Sequence, residues 1–370
     1  MRPTAWTHTG YAQRIVFGAG AVSGLGKLVR DVGGRRVMLV TTAGRLSSED
    51  GSRVVAALGR DLASTFDGVR SHVPASAVQL AASQARRDGV DCVVSFGGGS
   101  CADLGKAVCF FHEQEQGAPG MSAFDRPLLP HVSVPTTYSG AELTPFFGMT
   151  DEATRRKTGA GGPTIAPSAA LYDPELARST PARVRAETGM NALAHCVECA
   201  YSPHRTAEAE AIALAGAERI AVALPAAVED PDDLDAGTDM LAGAVLGGRA
   251  LQNATMGVHH GLSQLVGGRT GIPHGLANAV ILAHAMRFNE DAVPAELARV
   301  GAALGDRDDP AGVVDRLVAR IGLPSKLSEC GVAEDDIDAV ARLAEGNGNV
   351  QNNPRPVGEA GARAILEAAW

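Results

Sequence analysis

The chain has 370 residues, 45% hydrophobic, 20% charged and 4% aromatic, with a net charge of −9. That length leads us to expect two domains with a sizeable core. Scarce aromatics argue against base-stacking platforms and the acidic balance against a polyanion, so a nucleic-acid partner is not expected, whereas a small anionic substrate remains open.

Taken in order, the chain opens with a short apolar run, Gln13 to Gly18, and a helical run from Ala21 to Asp31. Arg35 to Thr42 reads as a buried strand, an apolar run bounded by glycines. A helix over Ser48 to Leu62 and a strand over Phe66 to Val73 follow, then an amphipathic helix from Ser76 to Gly89. Asp91 to Phe96 is another buried strand; it ends in Gly97-Gly98-Gly99-Ser100 and continues as a helix over Ala102 to His112. His131 to Pro135 is a short strand leading into Thr136-Thr137, and Ala169 to Tyr172 adds one more. Strands alternating with helices predict a parallel sheet covered on both faces.

After about residue 155 the pattern becomes helix after helix: Ala182 to Tyr201, Ala207 to Val228, Leu234 to Ala254, Val258 to Val266 and His274 to Arg287. The expected architecture is an α/β domain over residues 1–155 and an all-helical domain over 156–370, with a ligand cleft between them. No apolar run approaches the roughly 18 residues of a membrane helix, and no secretory core opens the chain, so no membrane partner is expected. The cysteines at 92, 101, 109, 196, 199 and 330 lie in or beside apolar runs without framework spacing, which fits a reduced, cytoplasmic compartment. Cys196 and Cys199 form a CxxC with no second pair, read as core packing.

Three stretches carry chemistry. Strand, GGGS, helix is an order that lets the backbone N–H groups of Gly97, Gly98, Gly99 and Ser100 approach a pyrophosphate at a helix N-terminus. Asp103 and Lys106, one turn into that helix, read as a polar wall facing the cofactor or else as a solvated pair; Thr136 and Thr137 end a strand at the same sheet edge, and Thr42 ends a strand where a ribose would lie. Threonine there neither grips a 2′-hydroxyl nor repels a 2′-phosphate strongly, so NADH and NADPH both remain open. Asn191 and His195 are four apart and share one helix face. In Gly257 to Asn289, His259, His260 and His284 fall on helical runs, and a GGRTGIP break returns His274 at the mouth of the next helix.

GGGSCADLGKA, VPTTYSGAE, Lys157 in RRKTG, GMNALAH and HHGLSQLVGGRTGIPHG together resemble the iron-containing alcohol dehydrogenase family, within the dehydroquinate-synthase-like fold. The resemblance spans nearly the whole chain. It implies an N-terminal dinucleotide-binding α/β domain, a helical C-terminal domain, NADH or NADPH as cofactor with Lys157 among its contacts, and a homodimer. It also implies a metal held by an aspartate and three histidines, positions matched here by Asn191, His195, His260 and His274. Asparagine in place of aspartate leaves no anionic ligand, so a tightly bound metal is not expected. A further active-site histidine of the alcohol dehydrogenases is Gln264 here. The His-His pair, the TYSGAE stretch and the NPRPV segment from Asn353 to Val357 resemble the maleylacetate reductase subgroup most closely.

The resemblance implies reduction of a conjugated ketone dicarboxylate of aromatic catabolism, with His195, His260, His274, Asn191 and His259 as catalytic candidates and Lys157, Arg249 or Arg269 for substrate carboxylates. Two alternatives stand beside it: a metal-dependent alcohol dehydrogenase, and a non-redox protein on the same fold.

Overall fold

The computed structural model describes residues 3–117, 127–153 and 156–370, with the side chains of Arg156 and Lys157 also outside the described set. Two compact units divide the chain: Gly10–Thr180, and the segment ending at Thr9 together with Pro181–Trp370. The boundary expected at 155 therefore lies at Thr180. Its physical reason is strand β8 (Ala169–Tyr172), which pairs within the first unit's sheet and holds the intervening chain there.

The strands of the first unit are β1 (Arg14–Phe17), β2 (Val37–Val40), β3 (Leu62–Phe66), β4 (Cys92–Gly97), β5 (His131–Pro135), β6 (Phe146–Asp151), β7 (Arg156–Gly161) and β8 (Ala169–Tyr172). Six form one sheet in the order β1-β8-β5-β4-β2-β3. All its pairings are parallel. The apolar runs of β2, β4, β5 and β8 are buried along their whole length, as strands covered on both faces must be. One face packs Val94, Val132 and Leu171 against Leu25 and Leu28, and the other packs Met38 and Val93 against Leu104 and Val108.

Two expectations differ. The strand expected over 66–73 is β3, at Leu62–Phe66; Gly68 and the positive backbone φ of His72 (63°) and Val73 (45°) break the later run. An antiparallel hairpin, β6–β7, was not expected. Its glycines and polar residues read as loop.

The second unit is helical, built around Ala182–Tyr201, Ala207–Glu229, Leu234–Leu251, Val258–Thr270 and His274–Asn289. The Gly267-Gly268 pair does not end the fourth of these, which runs on to Thr270 and stops at Gly271 in the left-handed conformation. Ala207–Glu229 corrects another expectation: its 23 residues are long and apolar enough to cross a membrane by length and composition. Alanine content hides that in a search for unbroken runs, because Glu208, Glu210, Glu218 and Arg219 interrupt them. The helix packs on Ala182–Tyr201 and Leu234–Leu251 within the unit.

Candidate functional site

In the first unit the sheet changes winding direction between β2, whose neighbours are β3 and β4, and the strands that follow β4. Ligands of open α/β sheets bind outside the strand ends at such a point. The carboxyl end of β4 is Gly97, and Gly98 is the N-cap of the Gly99–Glu115 helix, which no side chain caps. Beside it, at the end of β5, the hydroxyls of Thr136 and Thr137 are buried without a hydrogen-bond partner. A Cβ on Gly99 would lie 2.9 Å from Ser139 Oγ, and one on Gly98 would lie 3.2 Å from the Thr137 methyl. Two causes therefore keep glycine here: the close approach of the Thr136–Ser139 loop, and an open helix N-terminus able to receive an anion. Orphaned hydroxyls, free helix N-terminus and switch point together fit a dinucleotide.

The structure thus brings Gly97, Gly98, Gly99, Ser100, Thr136 and Thr137 together on adjacent strand ends. Thr42 does not end β2 itself; it caps the short Ala43–Leu46 helix, its hydroxyl accepting from Arg45 N at 3.2 Å. Asp103 is held 2.8 Å from Lys106 Nζ. Lys106 is fully buried, and its ammonium also donates to the Ala141 carbonyl at 2.7 Å, to Thr144 Oγ1 at 3.1 Å and to the Phe146 carbonyl. It is neither a solvated pair nor a polar wall, but a clamp between the helix and the 141–146 segment. Lys157 lies on β7, and its side chain is outside the described residues.

In the second unit, Asn191, His195 and Glu198 share one face of Ala182–Tyr201. His259 and His260 open Val258–Thr270, and His274 opens His274–Asn289. Three imidazoles converge. His195 stacks on His260 with ring centroids 4.8 Å apart and planes at 13°; His274 lies 5.8 Å from His260. His284 sits farther along its helix, among the charges of Arg287 and Asp315.

Behind the imidazoles is a residue the sequence reading missed, Glu198. Its carboxylate is completely buried and accepts from the backbone N–H groups of Gly257 (3.0 Å), His259 (3.1 Å) and His260 (3.1 Å), capping the Val258–Thr270 helix. It also receives His260 Nδ1 at 2.5 Å. A Cβ on Gly257 would stand 2.9 Å from Glu198 Oε1, so only glycine lets this carboxylate reach the helix end. Burial alone would raise the Glu198 carboxyl; its hydrogen-bonding neighbours His259 and His260 overcome that and hold it well below the usual range. The one local signal was its place seven residues after Asn191 on the same helix face; the backbone it caps lies some sixty residues away.

Burial pushes His195 well below its ordinary pKa, reinforced by His260 and His259 and opposed by Glu198. His260 is lowered by burial, against the opposing Glu198 hydrogen bond. Both imidazoles are neutral near pH 7. His195 Nδ1 and His260 Nε2 are buried without partners.

His259 is wholly buried and faces inward, Nε2 lying 3.0 Å from the Asn278 carbonyl. Asn278 Nδ2 in turn donates to Asn191 Oδ1 at 2.6 Å. Gln264 accepts from Asn349 Nδ2 at 3.1 Å. Asn353 of the NPRPV segment accepts from Val258 N at 3.3 Å and pairs with Asn289, so that segment braces the histidine helix. Arg269 pairs with Asp336 at 2.6 Å and Arg249 lies 3.6 Å from Glu208, so both cations already have acidic neighbours.

These donors are a poor fit for the iron of the dehydrogenases. The amide of Asn191 is neutral and tied to Asn278, and the nearby carboxylate, Glu198, is taken up by three backbone N–H groups and His260. Fe²⁺ sites commonly include a carboxylate ligand. Glu198, His259 and His260 are close enough to be taken for a metal cage, but they already satisfy one another as a hydrogen-bonded array.

The family model for iron-containing alcohol dehydrogenase matches residues 12–174, and the model for the C-terminal part of the Fe-containing alcohol dehydrogenase family matches 185–370. The chain belongs to this family. It is an oxidoreductase, as the family's members are, and those members use NAD(P)H. Its fold is the family's: a parallel-sheet α/β unit followed by a helical one. Maleylacetate reductase 1 of Rhodococcus opacus is 34% identical over 369 residues, covering 100% of this chain and 97% of that protein. The crystal structure of maleylacetate reductase from Agrobacterium tumefaciens superposes with a TM-score of 0.88 at 33% identity, covering 100% of this chain and 99% of that one. Sulfoacetaldehyde reductase from Bifidobacterium kashiwanohense, solved with NAD+, gives 0.89 at 25% identity and 99% coverage of each chain.

Proposed function

We propose that this protein is an NAD(P)H-dependent maleylacetate reductase, or a reductase of a closely related unsaturated keto acid, that works without a bound metal. The observation that carries the reading is the likeness to maleylacetate reductases over the full length of both proteins. The site supports it: three converging imidazoles with no carboxylate free to join them as a ligand.

Bound at the glycine loop, the nicotinamide cofactor supplies a hydride. The chain's own residues do the rest. Gly98, Gly99 and Ser100 offer backbone N–H groups to the pyrophosphate, and Thr136 and Thr137 offer hydroxyls to the same ligand. Hydride addition to the alkene carbon β to the ketone leaves negative charge on the ketone oxygen and its α carbon. His195 and His274 stabilise that charge as hydrogen-bond donors. His260, bare at Nε2 in the resting site, takes up a proton there from water and passes it to the α carbon, with the Glu198 carboxylate stabilising the transient imidazolium. His259 and Asn191 support these groups from behind. The substrate is a small dianion, and the chain works in the cytoplasm, where its reduced cysteines fit. The test is oxidation of NADH or NADPH by maleylacetate in the presence of chelator; product analysis should give 3-oxoadipate.

One observation favours a second reading, a metal-dependent alcohol dehydrogenase: His195 Nδ1 and His260 Nε2 are bare, buried nitrogens. Metal analysis of protein purified without chelator separates the two, since the second reading requires about one metal per chain.

A further inference from the structure

We propose that Glu198 is a positioning residue that sets opposite tautomers in the neighbouring imidazoles of His259 and His260, so that His260 rests with a bare Nε2 able to take up the proton it then delivers. Three contacts fix this, and a fourth, His259 Nδ1 at 3.4 Å from Glu198 Oε2, is too long to compete with the 2.5 Å bond from His260. The Asn278 carbonyl can only accept, and His259 Nε2 lies 3.0 Å from it, so His259 carries its proton on Nε2 and leaves Nδ1 bare. Glu198 Oε2 can only accept as a carboxylate, and His260 Nδ1 lies 2.5 Å from it, so His260 carries its proton on Nδ1. The two Nδ1 atoms lie 3.2 Å apart, a distance that suits one donor and one acceptor but not two protons. His260 Nε2 is then the lone-pair atom, and it is the one that is buried without a partner.

The carboxylate is itself immobile. Its two oxygens are pinned by the N–H groups of Gly257, His259 and His260, so the end of one helix orients the acid that orients the ring. Glutamine at 198 would keep an acceptor oxygen for the N–H groups of Gly257 and His259 and turn its amide N–H toward His260 Nδ1, giving up the bond from the His260 N–H. That donor requires the opposite tautomer, with the proton on Nε2. A one-atom change thus inverts what His260 offers.

The tautomers follow from geometry alone; only the kinetic consequence rests on the reductase reading. The test is ¹⁵N NMR of the histidine side chains in the full-length protein at pH 8, with assignment from His259→Asn and His260→Asn. In the wild type, His260 should be protonated on Nδ1 and bare on Nε2, and His259 the reverse. A proton on His260 Nε2, alone or as a second proton, overturns the proposal without any variant at position 198, so it stays testable even if that variant fails to fold. In Glu198→Gln the His260 proton should move to Nε2, and kcat for maleylacetate with NADH or NADPH should fall on the order of 10–100-fold while KM for the cofactor stays within about twofold. An unmoved proton with unchanged kcat also overturns it. Wild-type tautomers as stated, with no turnover of maleylacetate, would sink the reductase reading and leave the tautomer assignment standing.

Discussion

At position 191 a single atom separates this chain from its metal-dependent relatives. Asn191 accepts from Asn278 Nδ2 at 2.6 Å, a bond an aspartate would keep. Asn191→Asp should therefore fold, and it would place a carboxylate on the helix face that also carries His195. We expect the variant to gain affinity for Zn²⁺ or Fe²⁺, because the missing anionic ligand is restored, and to lose activity on a dicarboxylate through like-charge repulsion. Bound metal per chain and activity with and without chelator are the measurements; a variant that binds no more metal than the wild type contradicts the account of this position.

His131 gives a second residue-scale prediction. It lies buried beneath the Gly99–Glu115 helix, Nε2 paired with Ser95 Oγ at 2.8 Å, and burial, with Lys106 nearby, pushes its pKa down from 6.5 to about 3. The unfolded chain takes up a proton below about 6.5 that the folded chain refuses until about 3, so stability falls as pH drops through that window. Between pH 7 and 5 this one group should cost about 2 kcal/mol. Urea unfolding of wild type and His131→Asn at both pH values reads it: the variant should lack this share of the pH dependence, and equal slopes would contradict the assignment.

At the scale of elements, the glycine loop is where packing and binding coincide. Its strand–GGGS–helix order was legible because a fully buried apolar run ends in three glycines. That Ser139 and the Thr137 methyl press on those glycines was not legible, since both come from the loop after a different strand. Gly98→Val would push Thr137 aside and cover the helix N-terminus. A folded variant should bind NADH or NADPH at least about tenfold more weakly, roughly 1.4 kcal/mol, by fluorescence titration; an unchanged Kd would refute the phosphate role of the loop. The histidine helices were legible for a similar reason, since a histidine before or after a glycine break stands out in an apolar run. Glu198 stayed hidden because its role depends on a helix N-terminus some sixty residues away, which no local spacing shows. Lys106 was misread because a lysine is expected in solvent, and only the carbonyls of Ala141 and Phe146 explain its complete burial.

For the whole molecule, alternation of strand and helix followed by helices alone was enough to give both units, and the family's motifs gave their order. Their boundary was not legible. β8 is four residues long and joins the sheet between β1 and β5, partners near and far in sequence, so the first unit closes only at Thr180. The β6–β7 hairpin was missed because its strands are glycine-rich and half exposed, with no alternating apolar pattern to read.

The central claim is that this oxidoreductase reduces an unsaturated keto dicarboxylate without metal at its histidine cluster. The direct measurement is steady-state oxidation of NADH and of NADPH by maleylacetate, using protein stripped with EDTA and shown by metal analysis to hold well under one equivalent. The account predicts turnover with at least one cofactor, unchanged by chelator and unimproved by added Zn²⁺ or Fe²⁺. No turnover with either cofactor, or turnover that appears only when metal is restored, would contradict it.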